Sequence, residues 1–223
     1  MVQTVLVVAA HSDDEALGCA GTIARHTQNG DKVHLVFLTD GVGARRASDE
    51  GARARKAASQ KAADLLGATS MTQFSLPDNM IDSVPLIEVV KLIESSTENL
   101  APNIVYTHHG GDLNIDHRLC QQAVLTAFRP FPDQTVHSIY GFEVASSTEW
   151  AFTTPNPFLP SHYVDITKTL QTKLQVLKAY EEEMRPFPHV RSEEAVVALA
   201  RWRGASVGCA AAEAFTPIRT IRR

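Results

Sequence analysis

An α/β fold built on a mostly parallel sheet is what this sequence predicts, and three features carry the prediction. Residues 5–10 form a continuous, largely β-branched apolar run of the kind buried on both faces of a sheet. Strand-like runs then alternate with stretches of helical periodicity along most of the chain. The two richest polar clusters each follow directly on such a run, at the carboxyl end, where open α/β sheets bind ligands.

In chain order, the first run stops at a polar cluster and passes into small and apolar residues at helical spacing over 15–29, closed by Asn29 and Gly30. A second strand-like run, 32–38, completes a β-α-β unit. Helical periodicity returns over 50–66 and ends at Leu66 and Gly67. A short strand near 71–75, a helix near 84–99 and a strand over 103–107 follow. A helix beginning near His117 leads to Pro130-Phe131-Pro132 and a strand-like 136–144, which gives the sheet at least five strands. Segment 146–161, rich in Ser, Thr, Pro and aromatics, reads as a loop or small hairpin rather than a domain linker. Two last helices, 166–183 and 191–209, flank Arg185-Pro186-Phe187-Pro188-His189. This succession specifies a Rossmann-like three-layer sandwich, helices on both faces of the sheet. With 223 residues and no internal repeat, one domain over 1–223 is expected.

Composition narrows the function classes. Hydrophobic residues at 44% and charged residues at 21% suit a soluble globular chain and exclude a disordered one. A net charge of -4 supplies no basic field for nucleic acid or anionic membrane. The N-terminus enters an apolar run of about ten residues without a basic leader, too short to span a bilayer, so a cytoplasmic enzyme without stable membrane insertion is expected. Cys19, Cys120 and Cys209 are odd in number and far apart, which reads as buried reduced thiols and leaves His and carboxylate as the ligands of any metal.

The first cluster is His11-Ser12-Asp13-Asp14-Glu15. An imidazole and a carboxylate within three residues on a tight strand-to-helix turn suit one ion such as zinc, and a neighbouring carboxylate is left over. Such a pair serves amide hydrolysis, in which a metal activates water and carbonyl while a base takes the proton. The same residues also suit a helix N-cap with an acidic first turn, and spacing does not choose between Asp13 and Asp14. The second cluster, from His108 to Arg118, holds His108, His109, Asp112, Asn114, Asp116 and His117 and would face the first if their strands are neighbours. His117 is the preferred third ligand.

The stretch Ala10-His11-Ser12-Asp13-Asp14-Glu15, with Leu17-Gly18 and Gly21-Thr22, resembles the signature of the LmbE-like, or PIG-L, family of N-acetylglucosaminyl deacetylases. Asp116-His117 is similar to that family's second motif, and the likeness runs on through Thr39-Asp40-Gly41, Leu66-Gly67, Arg203-Gly204 and Ala212-Glu213-Ala214-Phe215. The resemblance implies a zinc site of His11, Asp14 and His117, with Asp13 as general base and Asp116 as the carboxylate that orients a catalytic His the family commonly has three residues before His117. It implies as substrate an N-acetylated amino sugar, for which a nucleotide- or phosphate-linked GlcNAc type is one expectation. Members of that family often assemble into homo-oligomers, although no stretch here demands it.

Two departures stand out. Ser12 replaces a Pro, which a turn of short polar residues tolerates. Asn114 stands where the family commonly has a His. An amide hydrogen-bonds a developing oxyanion but delivers no proton near neutral pH. Asn114 is therefore expected to stabilise charge, with the amine protonated by Asp13 or by His109 or His189. Substrate contacts are assigned to Arg45, His109, His189 and Arg191; for Arg45, in the Gly-rich segment after the second strand, a solvated loop is the competing account. Glu181-Glu182-Glu183 reads as a solvated helix face. Three readings remain compatible with these residues: the sugar N-deacetylase, a catalytically silent metal- or sugar-binding domain, and a metallohydrolase acting on another ester or amide. His and Asp ligands accept divalent ions other than zinc.

Overall fold

The computed structural model describes residues 2–41 and 49–222. Alternation within the first apolar run produces the layering. Val5, Val7 and Ala9 pack on one side of the sheet and Leu6, Val8 and Ala10 on the other, all fully buried. That run is β1 (Thr4–Ala9). It is followed by α1 (Asp14–Gln28), β2 (Lys32–Thr39), α2 (Asp49–Leu66), β3 (Ser70–Leu76), α3 (Leu86–Thr97), β4 (Ile104–His108) and α4 (Ile115–Ala127). The chain then forms β5 (Ser138–Phe142), β6 (His162–Asp165), α5 (Leu170–Ala179), α6 (Glu193–Ala205) and β7 (Ala212–Thr220).

The sheet order is β3-β2-β1-β4-β5-β7-β6. β1, β2, β3, β4 and β5 pair in parallel, whereas β7 runs antiparallel between β5 and β6. Residues of α1, α2 and α5 close one apolar layer and those of α3 and α4 the other, which is the three-layer arrangement expected. Because the chain leaves β1 toward β2 and β3 and returns on the far side as β4, the strand order reverses between β1 and β4. A crevice opens there beyond their carboxyl ends.

The last third of the chain adds to the reading of its sequence. Two strands, β6 and β7, go beyond the minimum of five expected. The helix expected over 166–183 is α5 plus a separate 3-10 turn, Glu181–Glu183. Pro217 sits inside β7 at the point where its pairing with β5 shifts register, so its missing N–H removes no regular ladder bond.

Helix α1 is broken at Cys19, whose φ of -148° and ψ of 16° leave the helical region. The break frees backbone groups in a buried place, and two side chains from remote elements take them up. Glu213 on β7 accepts from the Gly21 and Thr22 N–H groups at 3.0 and 2.7 Å, while the Lys173 ammonium on α5 donates to Leu17 O at 2.7 Å. Lys173 and Glu213 pair at 2.6 Å, both buried. The first turn of α1 is thereby fixed in direction independently of the rest.

Candidate active site

The turn from β1 into α1 places Asp13 at φ 130°, a conformation that a β-carbon resists. Glu15 holds it: Oε2 accepts the Asp13 N–H at 3.0 Å and Oε1 accepts from the Tyr180 hydroxyl at 2.8 Å. Burial pushes the Glu15 carboxyl up to about 7 against these bonds. Its neighbours on the turn diverge. Asp14 points inward, with Oδ2 3.2 Å from His11 Nδ1 and 3.4 Å from His117 Nε2. Asp13 points to the cavity, with Oδ2 2.9 Å from Arg191 Nη1 and Oδ1 3.4 Å from Arg55 Nη2.

Ligand atoms of His11, Asp14 and His117 all lie within 4.8 Å of one another, and all three residues are buried. Each ring meets a carboxylate through its other nitrogen. His11 Nε2 donates to Asp116 Oδ2 and Asp78 Oδ1, both at 3.1 Å, and His117 Nδ1 donates to Asp112 Oδ1 at 3.1 Å. These bonds turn His11 Nδ1 and His117 Nε2 toward the Asp14 carboxylate, the arrangement that divalent-metal sites use to fix imidazole ligands. The donor set of two nitrogens and one carboxylate fits zinc.

His11, Asp78 and Asp116 also fall within 4.8 Å of one another. Asp116, however, already accepts the N–H groups of Asn79 at 2.7 Å and Ile81 at 3.0 Å, and so fits an orienting role. His108 is excluded as a ligand although its Nε2 lies 3.4 Å from Asp14, because that nitrogen accepts the Ala10 N–H at 2.8 Å. It is buried and stacks on His117 at 4.0 Å.

Burial and the Asp14 charge raise the Asp13 carboxyl, and Arg55 and Arg191 pull it back. Glu183 binds Arg55 at 2.6 Å and approaches Arg191 at 3.6 Å. Glu183 is buried here, contrary to the solvated face expected, since the 3-10 turn after α5 aims it inward. Arg55 and Asp78 went unnoticed in the sequence, and Glu183 was noted only as part of an acidic run. Asp78 carried a signal, its position just past a strand's carboxyl end, but Arg55 comes from helical periodicity with no local cluster.

The cavity measures about 440 Å³ and is lined by His11, Asp13, Asp14, His117, Asn114 and Arg191, among others. Of the residues assigned to substrate or proton transfer, His109 and His189 are not among its lining. His109 Nε2 donates to Asn156 O at 2.8 Å, and His189 Nδ1 accepts the Arg191 N–H at 3.0 Å. Asn114 caps α4, its Oδ1 accepting the Asp116 N–H at 2.8 Å, and its Nδ2 donates to Asn79 Oδ1 at 3.0 Å. Arg45 lies outside the described residues.

With this geometry in hand, the family model described as GlcNAc-PI de-N-acetylase, PIG-L, matches residues 6–128, more than half of the chain and both clusters. The chain belongs to the PIG-L, or LmbE-like, family. It is 28% identical over 183 residues to the uncharacterized deacetylase YaiS of Escherichia coli (strain K12), covering 79% of this chain and 90% of that one. Among solved structures, the N,N'-diacetylchitobiose deacetylase from Pyrococcus horikoshii superposes with a TM-score of 0.77 at 21% identity, over 97% of this chain and 84% of that one. The 4-carboxy-2-hydroxymuconate hydratase GalB from Pseudomonas putida KT2440 superposes with a TM-score of 0.76 at 22% identity, over 100% and 98%. At such identities the superpositions establish the fold alone. A hydratase on this fold means that the reaction has to be argued from the site.

Proposed function

We propose that this PIG-L family member is a zinc-dependent hydrolase that removes the N-acetyl group from an amino sugar of the GlcNAc type. The observation that carries the reading is the divergence of Asp13 and Asp14. Asp14 joins His11 and His117 as a ligand group, and Asp13 stands beside that group with its carboxylate on the cavity. A binding site alone has no use for the second carboxylate there.

His11, Asp14 and His117 would hold a divalent ion, which would supply Lewis acidity toward the amide carbonyl and the attacking water. Asp13 takes the water's proton, and Arg55 and Arg191 keep its carboxylate aimed at the cavity. Asp78 and Asp116 fix the ring of His11, and Asp112 that of His117. Asn114 has one N–H left beyond its bond to Asn79 and offers it to the developing oxyanion. With His109 and His189 engaged elsewhere, Asp13 returns its proton to the leaving amine. Both guanidiniums of the described cavity face carboxylates.

A panel of N-acetylated amino sugars, incubated with zinc-loaded protein and assayed for acetate and free amine, tests the proposal. Equal release of both, abolished by a chelator, is the expected result. Metal binding with no release from any sugar would contradict it.

A further inference from the structure

Glu15, Arg55 and Arg191 are the residues that hold Asp13. All three are braced in turn by the end of α5, where Tyr180 is the C-cap residue and the 3-10 turn Glu181–Glu183 follows. Both lie well outside the stretch 6–128 that the family model matches. Tyr180 is 2% exposed and is not among the residues that line the cavity, so whatever it contributes to the reaction passes through another side chain.

Two arms lead from Tyr180 to Asp13. Its hydroxyl donates to Glu15 Oε1 at 2.8 Å, and Glu15 Oε2 accepts the Asp13 N–H at 3.0 Å. This arm bears on the backbone, where the φ of 130° at Asp13 needs support from outside the residue. The other arm bears on the carboxylate. The Arg55 guanidinium carbon lies 5.9 Å from the centre of the Tyr180 ring, within the roughly 6 Å of a cation–π contact, and Arg55 Nη2 stands 3.4 Å from Asp13 Oδ1. Tyr180 O also accepts the Glu183 N–H at 2.8 Å, and Glu183 grips the same guanidinium at 2.6 Å. The ring belongs to the main apolar core, and for that packing a phenylalanine would serve. A buried hydroxyl needs a partner, and the partner it has is the carboxylate that holds Asp13.

We infer that Tyr180 is a positioning residue for Asp13, setting its backbone through Glu15 and its carboxylate through Arg55. The inference rests on the deacetylase reading, in which Asp13 is the base. A base displaced by about 1 Å loses as much as a hundredfold in rate. The metal and the sugar stay bound meanwhile, because the Tyr180 hydroxyl bonds Glu15 and touches neither a ligand residue nor the cavity.

Tyr180→Phe removes the hydroxyl and keeps the ring. Acetate release from N-acetylglucosamine and from N,N'-diacetylchitobiose gives kcat and KM for zinc-loaded native protein, Tyr180→Phe, Glu15→Gln and the double variant, with zinc content measured on the same samples. Tyr180→Phe is expected to lower kcat about ten- to a hundredfold at native KM and native zinc content. The double variant should be no slower than the slower single one, since both substitutions cut the same arm. Native kcat in Tyr180→Phe overturns the inference and leaves the deacetylase reading standing. So does a rise in KM alone, a loss of zinc, or single losses that multiply in the double variant. If Tyr180→Phe alone does not fold, the double variant, whose neutral amide removes the buried charge, carries the test, and native kcat in it overturns the inference. No acetate from either sugar with the native chain removes the deacetylase reading and this inference with it.

Discussion

Asp13 and Asp14 are neighbours of identical chemistry, and the turn between β1 and α1 separates them by direction alone. The positive φ at Asp13, held by Glu15, sends one carboxylate to the cavity and the other to the two histidines. That direction is a property of the folded turn, so spacing left the two open while it did bring out His11 and His117, which stand in clusters too rich for ordinary loops. Asp13→Asn is expected to lower kcat by roughly a hundred- to ten-thousand-fold while zinc binding is kept, measured by acetate release against metal content. Asp112 gives a pH test on the metal-free protein. Burial raises its carboxyl, but the hydrogen bond and charge of His117, with the Ser147 and Thr148 hydroxyls, outweigh that and hold it at about 2, below the usual 3.8. A depressed carboxyl stabilises fully above its unfolded value, so this contribution, on the order of 2 kcal/mol, is lost as the pH falls from about 4 toward 2. Urea midpoints at several pH values should show that slope in the native chain and a shallower one in Asp112→Asn.

At the scale of elements, the break in α1 shows why the C-terminal residues matter to a site built from strands β1 and β4. Glu213 and Lys173 are far apart in sequence and meet only because β7 and α5 converge on that break. Removing one partner leaves the other buried and unpaired, so Glu213→Gln or Lys173→Met should each cost about 3–5 kcal/mol in urea unfolding, and the double variant less than their sum. Gly18 lies in the same turn, where an added Cβ would run into the Phe142 ring. Gly18→Ala should destabilise by about 1–3 kcal/mol by the same measurement. The parallel strands and their helices were legible because each buries a face and shows its period. β6 and β7 were not, being an antiparallel addition in which one strand is four residues long and the other contains Pro217.

For the whole molecule, the reversal of strand order between β1 and β4 brings two clusters about a hundred residues apart in sequence onto one crevice, and their ligand atoms to within 4.8 Å. An ion bound at that junction ties β1 to α4 and should stabilise the fold by mass action. Zinc at a hundred times its dissociation constant adds about 2.7 kcal/mol, so chelation should lower Tm by roughly 5–10 °C, read by calorimetry. The central claim is the division of labour between the adjacent aspartates. Zinc content and acetate release measured on the same samples of Asp13→Asn and Asp14→Asn test it most directly. Asp13→Asn is expected to bind zinc as the native chain does and to release acetate at least about a hundredfold more slowly, whereas Asp14→Asn loses the zinc. An Asp13→Asn protein that fails to bind zinc, or one that turns over at the native rate, would contradict it.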